Sequence, residues 1–139
     1  MAAFEIPVKV RFGDVDAAGI AYFPSIFNMI HRVFEDLWEH HVGIPYSDLI
    51  VGKQLGFPLV NSNVDFKSPL RFGDEPRVVV TCERLGRSSL TLRYQFFLGK
   101  ELALDARMTT ACIDMTRLKS CAIPEIYRGP LLALQADDS

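Results

Sequence analysis

The chain has 139 residues, 49% of them hydrophobic and 23% charged, with a formal net charge of −2. That length suits one domain spanning residues 1–139, and the composition excludes a disordered tail, a fibre and a coiled coil. The slight acidity leaves no basic surplus to neutralise a nucleic-acid backbone, so nucleic acid is not an expected partner.

Phe4 to Phe12 reads as a strand. Phe4, Ile6, Val8 and Val10 alternate with Glu5, Pro7, Lys9 and Arg11. Gly13-Asp14-Val15-Asp16-Ala17-Ala18-Gly19 breaks that alternation and predicts a loop. Helix signals begin at Pro24-Ser25. Ile26, Phe27, Ile30, Val33, Phe34, Leu37 and Trp38 fall in one stripe at about 100° per residue, with Arg32, Glu35, Asp36 and Glu39 outside it. The pattern runs to His41 or Val42, where Gly43 stops it. A short helix is expected from Ser47 to Lys53.

From Phe57 onward the pattern is that of strands. Leu59-Val60 to Lys67, Arg77 to Leu85, Leu90 to Leu98 and Leu102 to Met115 each qualify. Leu90, Leu92, Tyr94 and Phe96 share one face. Gly86-Arg87-Ser88-Ser89 and Gly99-Lys100 are turns. Ile123 to Tyr127 makes one helical turn before a frayed end. Strands are segregated from helices, so the class is α+β, with an antiparallel sheet wrapped around one long helix.

Cys82, Cys112 and Cys121 are an odd count without C-x-x-C spacing. Reduced, at least partly buried thiols are expected, not a disulfide framework or a zinc site. No stretch approaches the roughly 20 apolar residues of a membrane span, and the N-terminus lacks a leader-like apolar run. The expectation is a cytoplasmic protein without a membrane partner.

Any chemistry lies in the loop before the long helix. Asp14 and Asp16 stand just upstream of a helix N-terminus, whose free N–H groups and positive dipole end can hold an anion or a developing oxyanion. Alternatively, either carboxylate merely shapes the loop. A calcium loop fails, because the fifth and twelfth positions counted from Asp14 are Ala18 and Ser25. No H-E-x-x-H, G-x-S-x-G or nucleotide-binding glycine pattern occurs. No metal site and no cofactor is expected. His31, at the border of the stripe, lines a pocket or stands half exposed. His40-His41 suit a cation at the helix C-terminus. Arg87, Ser88 and Ser89 form either a phosphate-binding turn or a solvated hairpin.

The segment from Phe12 to Ser25 resembles the signature loop and helix start of the 4-hydroxybenzoyl-CoA thioesterase family. The shared pattern is D-x-D-x-x-G-hydrophobic, then aromatic residues and a long central helix. The resemblance runs over roughly residues 5 to 127. It implies the hot-dog fold and hydrolysis of an acyl- or aryl-CoA thioester to the free acid and coenzyme A. Asp16 matches the catalytic carboxylate, acting as nucleophile or general base. Phe23 matches the residue whose backbone N–H polarises the thioester carbonyl, and Gly19 the glycine that lets the loop approach it. Asp14 matches a position read as loop architecture. Phe27, His31, Phe34 and Phe57 suggest an aromatic-lined pocket suited to an aryl or medium-chain group, and Tyr22, Phe27, His31 and Phe57 are the expected substrate-binding residues. Arg87, Ser88 and Ser89 match the turn that meets the nucleotide part of coenzyme A.

Two positions differ from related branches. Pro24 stands where the Tol–Pal-type acyl-CoA thioesterases carry a His. His31 stands where the hydroxybenzoyl branch has a helix carboxylate that reads the ring hydroxyl. An enoyl-CoA hydratase or dehydratase and a non-catalytic acyl-CoA binder are the alternative functions. One sheet on one helix leaves an open edge. The family closes it as a homodimer, often doubled to a homotetramer, with Asp16 and Arg87 serving one site from different chains.

Overall fold

The computed structural model describes residues 3–135. The elements run β1 (Phe4–Pro7), α1 (Phe23–Leu37), α2 (Tyr46–Val51), β2 (Leu55–Gly56), β3 (Leu59–Phe66), β4 (Arg77–Leu85), β5 (Ser89–Leu98), β6 (Glu101–Ala111), β7 (Ile113–Asp114), β8 (Lys119–Ser120) and α3 (Glu125–Leu132). The main sheet has the order β1-β4-β5-β6-β3, all pairs antiparallel. A small sheet has the order β2-β7-β8. This is the expected α+β hot-dog arrangement, a sheet folded about one long helix.

The period-two pattern sets the inner face of the sheet. Leu90, Leu92, Tyr94 and Phe96 of β5 are all buried, as are Val78 and Val80 of β4 and Leu104, Ala106 and Met108 of β6. The helix presents Ile26, Met29, Ile30, Val33, Phe34 and Leu37 to them. Phe27, assigned to the buried stripe from the sequence, is only half-buried, and Met29 takes the deeper place. Beyond Leu37 the helix continues from Trp38 to Val42 in a wider π turn. Gly43 ends it at φ +103°, a left-handed conformation that favours glycine, with its N–H on the Trp38 carbonyl at 2.8 Å.

Three boundaries depart from the pattern. The regular ladder of β1 stops at Pro7, not Phe12, because it faces Pro76-Arg77 and two prolines remove ladder donors. The extended run nonetheless continues, with Val8 N–H on Pro76 O at 3.0 Å and Val10 N–H on Asp74 O at 2.8 Å. The last long strand does not reach Met115. At Cys112 the chain leaves the main sheet and pairs with β2 instead. The C-terminal turn is a full helix, α3, held by His41 Nε2–H on the Pro130 carbonyl at 2.8 Å and by Tyr127 against Trp38 at 5.5 Å. His41 therefore bonds α3 rather than its own helix end. Cys82 and Cys112 are buried free thiols and Cys121 is half-buried. Cys112 Sγ lies 3.5 Å from Cys121 Sγ, and burial pushes the Cys112 thiol up to about 12.

The outer face carries an ion-pair row. Arg93 Nε and Nη2 donate to the two Asp105 carboxylate oxygens at 2.9 and 2.7 Å, and Arg107 Nε donates to Glu83 at 2.8 Å. The Asp105 side chain is only 8% exposed. The Arg93 bond, more than any other group, holds its carboxyl below the usual carboxylate range. A carboxylate lowered by folding contributes stability above its unfolded pKa of about 3.9 and loses it as pH falls through the folded value. Urea titrations should therefore show stability declining below about pH 4. Asp105→Asn should flatten that decline. Arg93→Ala, which leaves a buried carboxylate without its bidentate partner, should cost about 2 kcal/mol at pH 7.

Candidate active site

The Asp16 loop is closed by an antiparallel bridge between Val15 and Ala21. Asp16 N–H donates to Ile20 O at 3.0 Å, and Asp16 O accepts Gly19 N–H at 2.9 Å. Gly19 sits at φ +77°, which a side chain rarely tolerates. Asp16 Oδ1 accepts the N–H groups of Ala18 at 2.9 Å and Ile20 at 3.4 Å. Among the described residues Oδ2 has no such donor, so one carboxylate oxygen of this exposed residue is left unpaired. Asp14 has a different role. Its Oδ2 takes the Arg11 N–H at 2.9 Å and closes the short 3-10 turn Phe12–Asp14. The loop is fastened to the segment before β4 by Phe72 N–H on Gly19 O and Ala21 N–H on Leu70 O.

The loop runs directly into α1. Tyr22 is the N-cap residue in extended conformation, and its side chain caps nothing. Pro24 occupies the first turn, where its missing N–H costs nothing. The first intrahelical bond is Ile26 N–H to Tyr22 O. The N–H groups of Phe23 and Ser25 are therefore without intrahelical acceptors. No acidic side chain lies in the first turn. The positive end of the dipole is not neutralised from within the helix.

One helical turn later a cavity of about 200 Å³ begins at Phe27, whose ring meets that of Phe23 at 4.8 Å. It follows α1 past His31 to Phe34. Phe57 and Pro58 close one side, and Tyr94, Met108 and Thr110 of the sheet form the floor. Tyr46 stands across from Phe34, ring centroids 5.2 Å apart, and its hydroxyl accepts the Phe57 N–H at 2.9 Å. His31 is on the rim, with Nε2 2.8 Å from Glu35 Oε2. Burial raises the pKa of Tyr46, the Phe57 bond offsetting part of the shift, and raises that of Tyr94 further. Both phenols stay neutral at ordinary pH.

The Arg87 turn lies elsewhere. Its carbonyls are fixed by the C-terminal segment: Gly86 O by Arg128 Nη1 at 2.9 Å, Arg87 O by Ile123 N–H at 2.8 Å, and Ser88 O by Cys112 N–H at 2.6 Å. The Asp16 loop is anchored just before Arg77, where β4 starts, and Arg87 follows Leu85, where β4 ends. At about 3.3 Å per residue the two are separated by roughly 25 Å along the strand. Within one chain the turn and the loop do not meet.

The model of one family, the thioesterase-like superfamily, matches residues 10–131. The chain belongs to the thioesterase-like superfamily. It is similar to the 1,4-dihydroxy-2-naphthoyl-CoA hydrolase of Prochlorococcus marinus (strain MIT 9303), with 28% identity over 123 residues, 84% of this chain and 81% of that protein. Among solved structures it resembles a gentisyl-coenzyme A thioesterase, with TM-score 0.81 and 26% identity over 92% of this chain and 98% of the other. A thioesterase-superfamily protein from Jannaschia sp. CCS1 shares the fold at TM-score 0.90, with 23% identity over 98% and 95% of the two chains.

In this thioesterase-like chain the residues singled out from the sequence separate into three places. Asp16, Gly19, Tyr22 and Phe23 form the loop and helix start. Phe27, His31 and Phe57 line the cavity; Tyr22 does not, since it is exposed at the N-cap. Arg87, Ser88 and Ser89 are at the far end of β4. Tyr46, Tyr94 and Thr110 also line the cavity and carry no sequence motif. Only the alternation that turns Tyr94 inward signals its place. Tyr46→Phe should remove the acceptor that the buried Phe57 N–H uses. Urea denaturation should show a loss of about 1–2 kcal/mol.

Proposed function

We propose that this protein hydrolyses an aromatic acyl-CoA thioester to the free acid and coenzyme A. The observation that carries this reading is the uncapped helix N-terminus at Phe23 opening, one turn later, onto a ring-sized aromatic cavity. The relatives support it, since those with assigned reactions act on 1,4-dihydroxy-2-naphthoyl-CoA and gentisyl-CoA.

In this reading the acyl ring lies along α1 between Phe27 and Phe34. The thioester carbonyl oxygen meets the Phe23 N–H, where charge developing on it is stabilised by that donor and the dipole end. One such donor contributes roughly 3–4 kcal/mol to the transition state. The free Asp16 oxygen either attacks the carbonyl carbon, giving a mixed anhydride that water then cleaves, or takes a proton from an attacking water. In both routes the C–S bond breaks and the thiolate of coenzyme A leaves. A thiolate is a good leaving group, so no strong general acid is required.

The nucleotide end of coenzyme A meets Arg87, Ser88 and Ser89 of a second subunit. The separation along β4 supports this, as does β3, whose residues are almost all exposed at the open edge of the sheet. A homodimer pairing those edges would bring the Arg87 turn of one subunit toward the loop of the other.

Thiol release should be measured across benzoyl-, hydroxybenzoyl-, phenylacetyl- and straight-chain CoA esters, with aromatic esters turning over fastest. Asp16→Asn should lower kcat by about 10²–10⁴-fold while the ester still binds. Wild-type turnover in that variant on every active ester would remove Asp16 from the mechanism. Mixing inactive Asp16→Asn with inactive Arg87→Ala subunits should restore activity, to about a quarter of wild type for random dimers, because one site in each mixed dimer is intact. No recovery in subunits shown to exchange would place both residues in the same chain's site.

A further inference from the structure

We propose that Tyr94 selects the acyl group, its hydroxyl binding a hydroxyl substituent on the aromatic ring of the substrate. This rests on the aromatic acyl-CoA reading above and adds a recognition residue to it.

Tyr94 is 1% exposed and lines the cavity floor. Among the described residues nothing bonds its hydroxyl, although buried phenols ordinarily have a partner. The hydroxyl is not sealed in the core: among the described residues, Trp38 Nε1 alone of the side-chain polar atoms without a partner is cut off from solvent space. Since Tyr94 lines the cavity, that space is where its unpartnered hydroxyl can find a ligand. The other polar side chains there each have a protein partner: the Tyr46 hydroxyl accepts the Phe57 N–H, Thr110 Oγ1 donates to Leu90 O at 3.4 Å, and His31 is paired with Glu35 at the rim.

The site is rigid and of the right size. Tyr94 is in the middle of β5, paired with Val80 on one side and Ala106 on the other. A cavity of about 150 Å³ already holds benzene, so the roughly 200 Å³ here accommodates a ring with small substituents. The walls are mostly apolar, which disfavours an ionised group beside Tyr94. A neutral hydroxyl fits, because it can both give a hydrogen bond to a phenol and accept one from it. An unsubstituted ring would leave the Tyr94 hydroxyl unpaired, and a site built that way discriminates against the analogue lacking the hydroxyl.

The test is the ratio of kcat/KM for the three hydroxybenzoyl-CoA isomers to that for benzoyl-CoA, in wild type and Tyr94→Phe. Wild type should favour at least one isomer over benzoyl-CoA by about tenfold or more. Tyr94→Phe should bring that ratio close to one. Its Tm should equal or exceed that of wild type, because the hydroxyl removed has no protein partner. A ratio unmoved by the substitution overturns the role of Tyr94 while leaving thioester hydrolysis standing. No thiol release from any aromatic ester by wild type overturns the function itself and this inference with it.

Discussion

Ile26, Met29, Ile30, Val33, Phe34, Leu37 and Trp38 bury one side of a single helix against the inner face of one sheet. Every other feature depends on that contact. Among the described residues no second helix of similar length covers the sheet, so the position of α1 fixes where the core is and where it stops. Each fully buried side chain of this size adds about 1.5–3 kcal/mol of hydrophobic stabilisation. The contact therefore outweighs the smaller costs at the two ends of the helix. At the C-terminal end Trp38, Phe57 and Tyr127 pack ring against ring, and the chain is closed by Gly43. At the N-terminal end packing thins out: Tyr22 and Phe23 are exposed and the backbone donors are unpaired. The same helix thus supplies the core at one end and an anion-receptive terminus at the other.

The fold was legible wherever one face of an element is buried and the other wet. The stripe in α1 and the alternation in β5 are such cases, because a shift of one residue would turn apolar side chains to water. Legibility failed where local periodicity is not what decides. Pro7 and Pro76 remove ladder donors without changing the pattern of side chains, so β1 reads longer than it is. At Cys112 the strand changes sheets with no break in composition, because both partners accept the same side chains. Helix α3 contains Gly129 and Pro130, poor helix formers, and it forms because Tyr127 and Leu131 pack into the core. The loop of the site was legible through its two carboxylates and glycine. The cavity was less so, since Tyr46 and Thr110 reach it from elements whose own sequences give no sign of a ligand.

The sheet also imposes a separation. A strand is stiff, and β4 keeps its two ends apart by its length. The Asp16 loop is tied to one end and the Arg87 turn to the other. The carbonyls of that turn are drawn toward α3 and the Cys112 strand by three hydrogen bonds. Neither end can travel to the other without unpairing β4 from β5. In the proposed function a ligand needing both takes them from two chains, and the exposed β3 edge is where another chain's strand can add with its hydrogen bonds satisfied. In this reading oligomerisation completes the site rather than merely adding stability.

Polar groups in this fold are satisfied with care in some places and left open in others. Asp14 caps its own turn through Arg11, and Asp74 does the same for Arg71. Asp105 has both oxygens on one guanidinium. Against that background the Phe23 N–H, the Tyr94 hydroxyl and Trp38 Nε1 belong to the groups without a protein partner among the described residues. Trp38 is enclosed by the rings of Phe34, Phe57 and Tyr127, and its Nε1 has no hydrogen-bond partner among the described residues. It is a penalty of packing, at the closed end of the helix. The other two flank the Phe27 end of one aromatic cavity and its floor, and each is accessible. An unpaired buried donor ordinarily costs about 1–3 kcal/mol. The Tyr94 hydroxyl is such a group, and leaving it unpaired beside a cavity suits a ligand that brings a partner of its own. In the proposed function a thioester carbonyl meets the Phe23 N–H and a ring hydroxyl meets Tyr94.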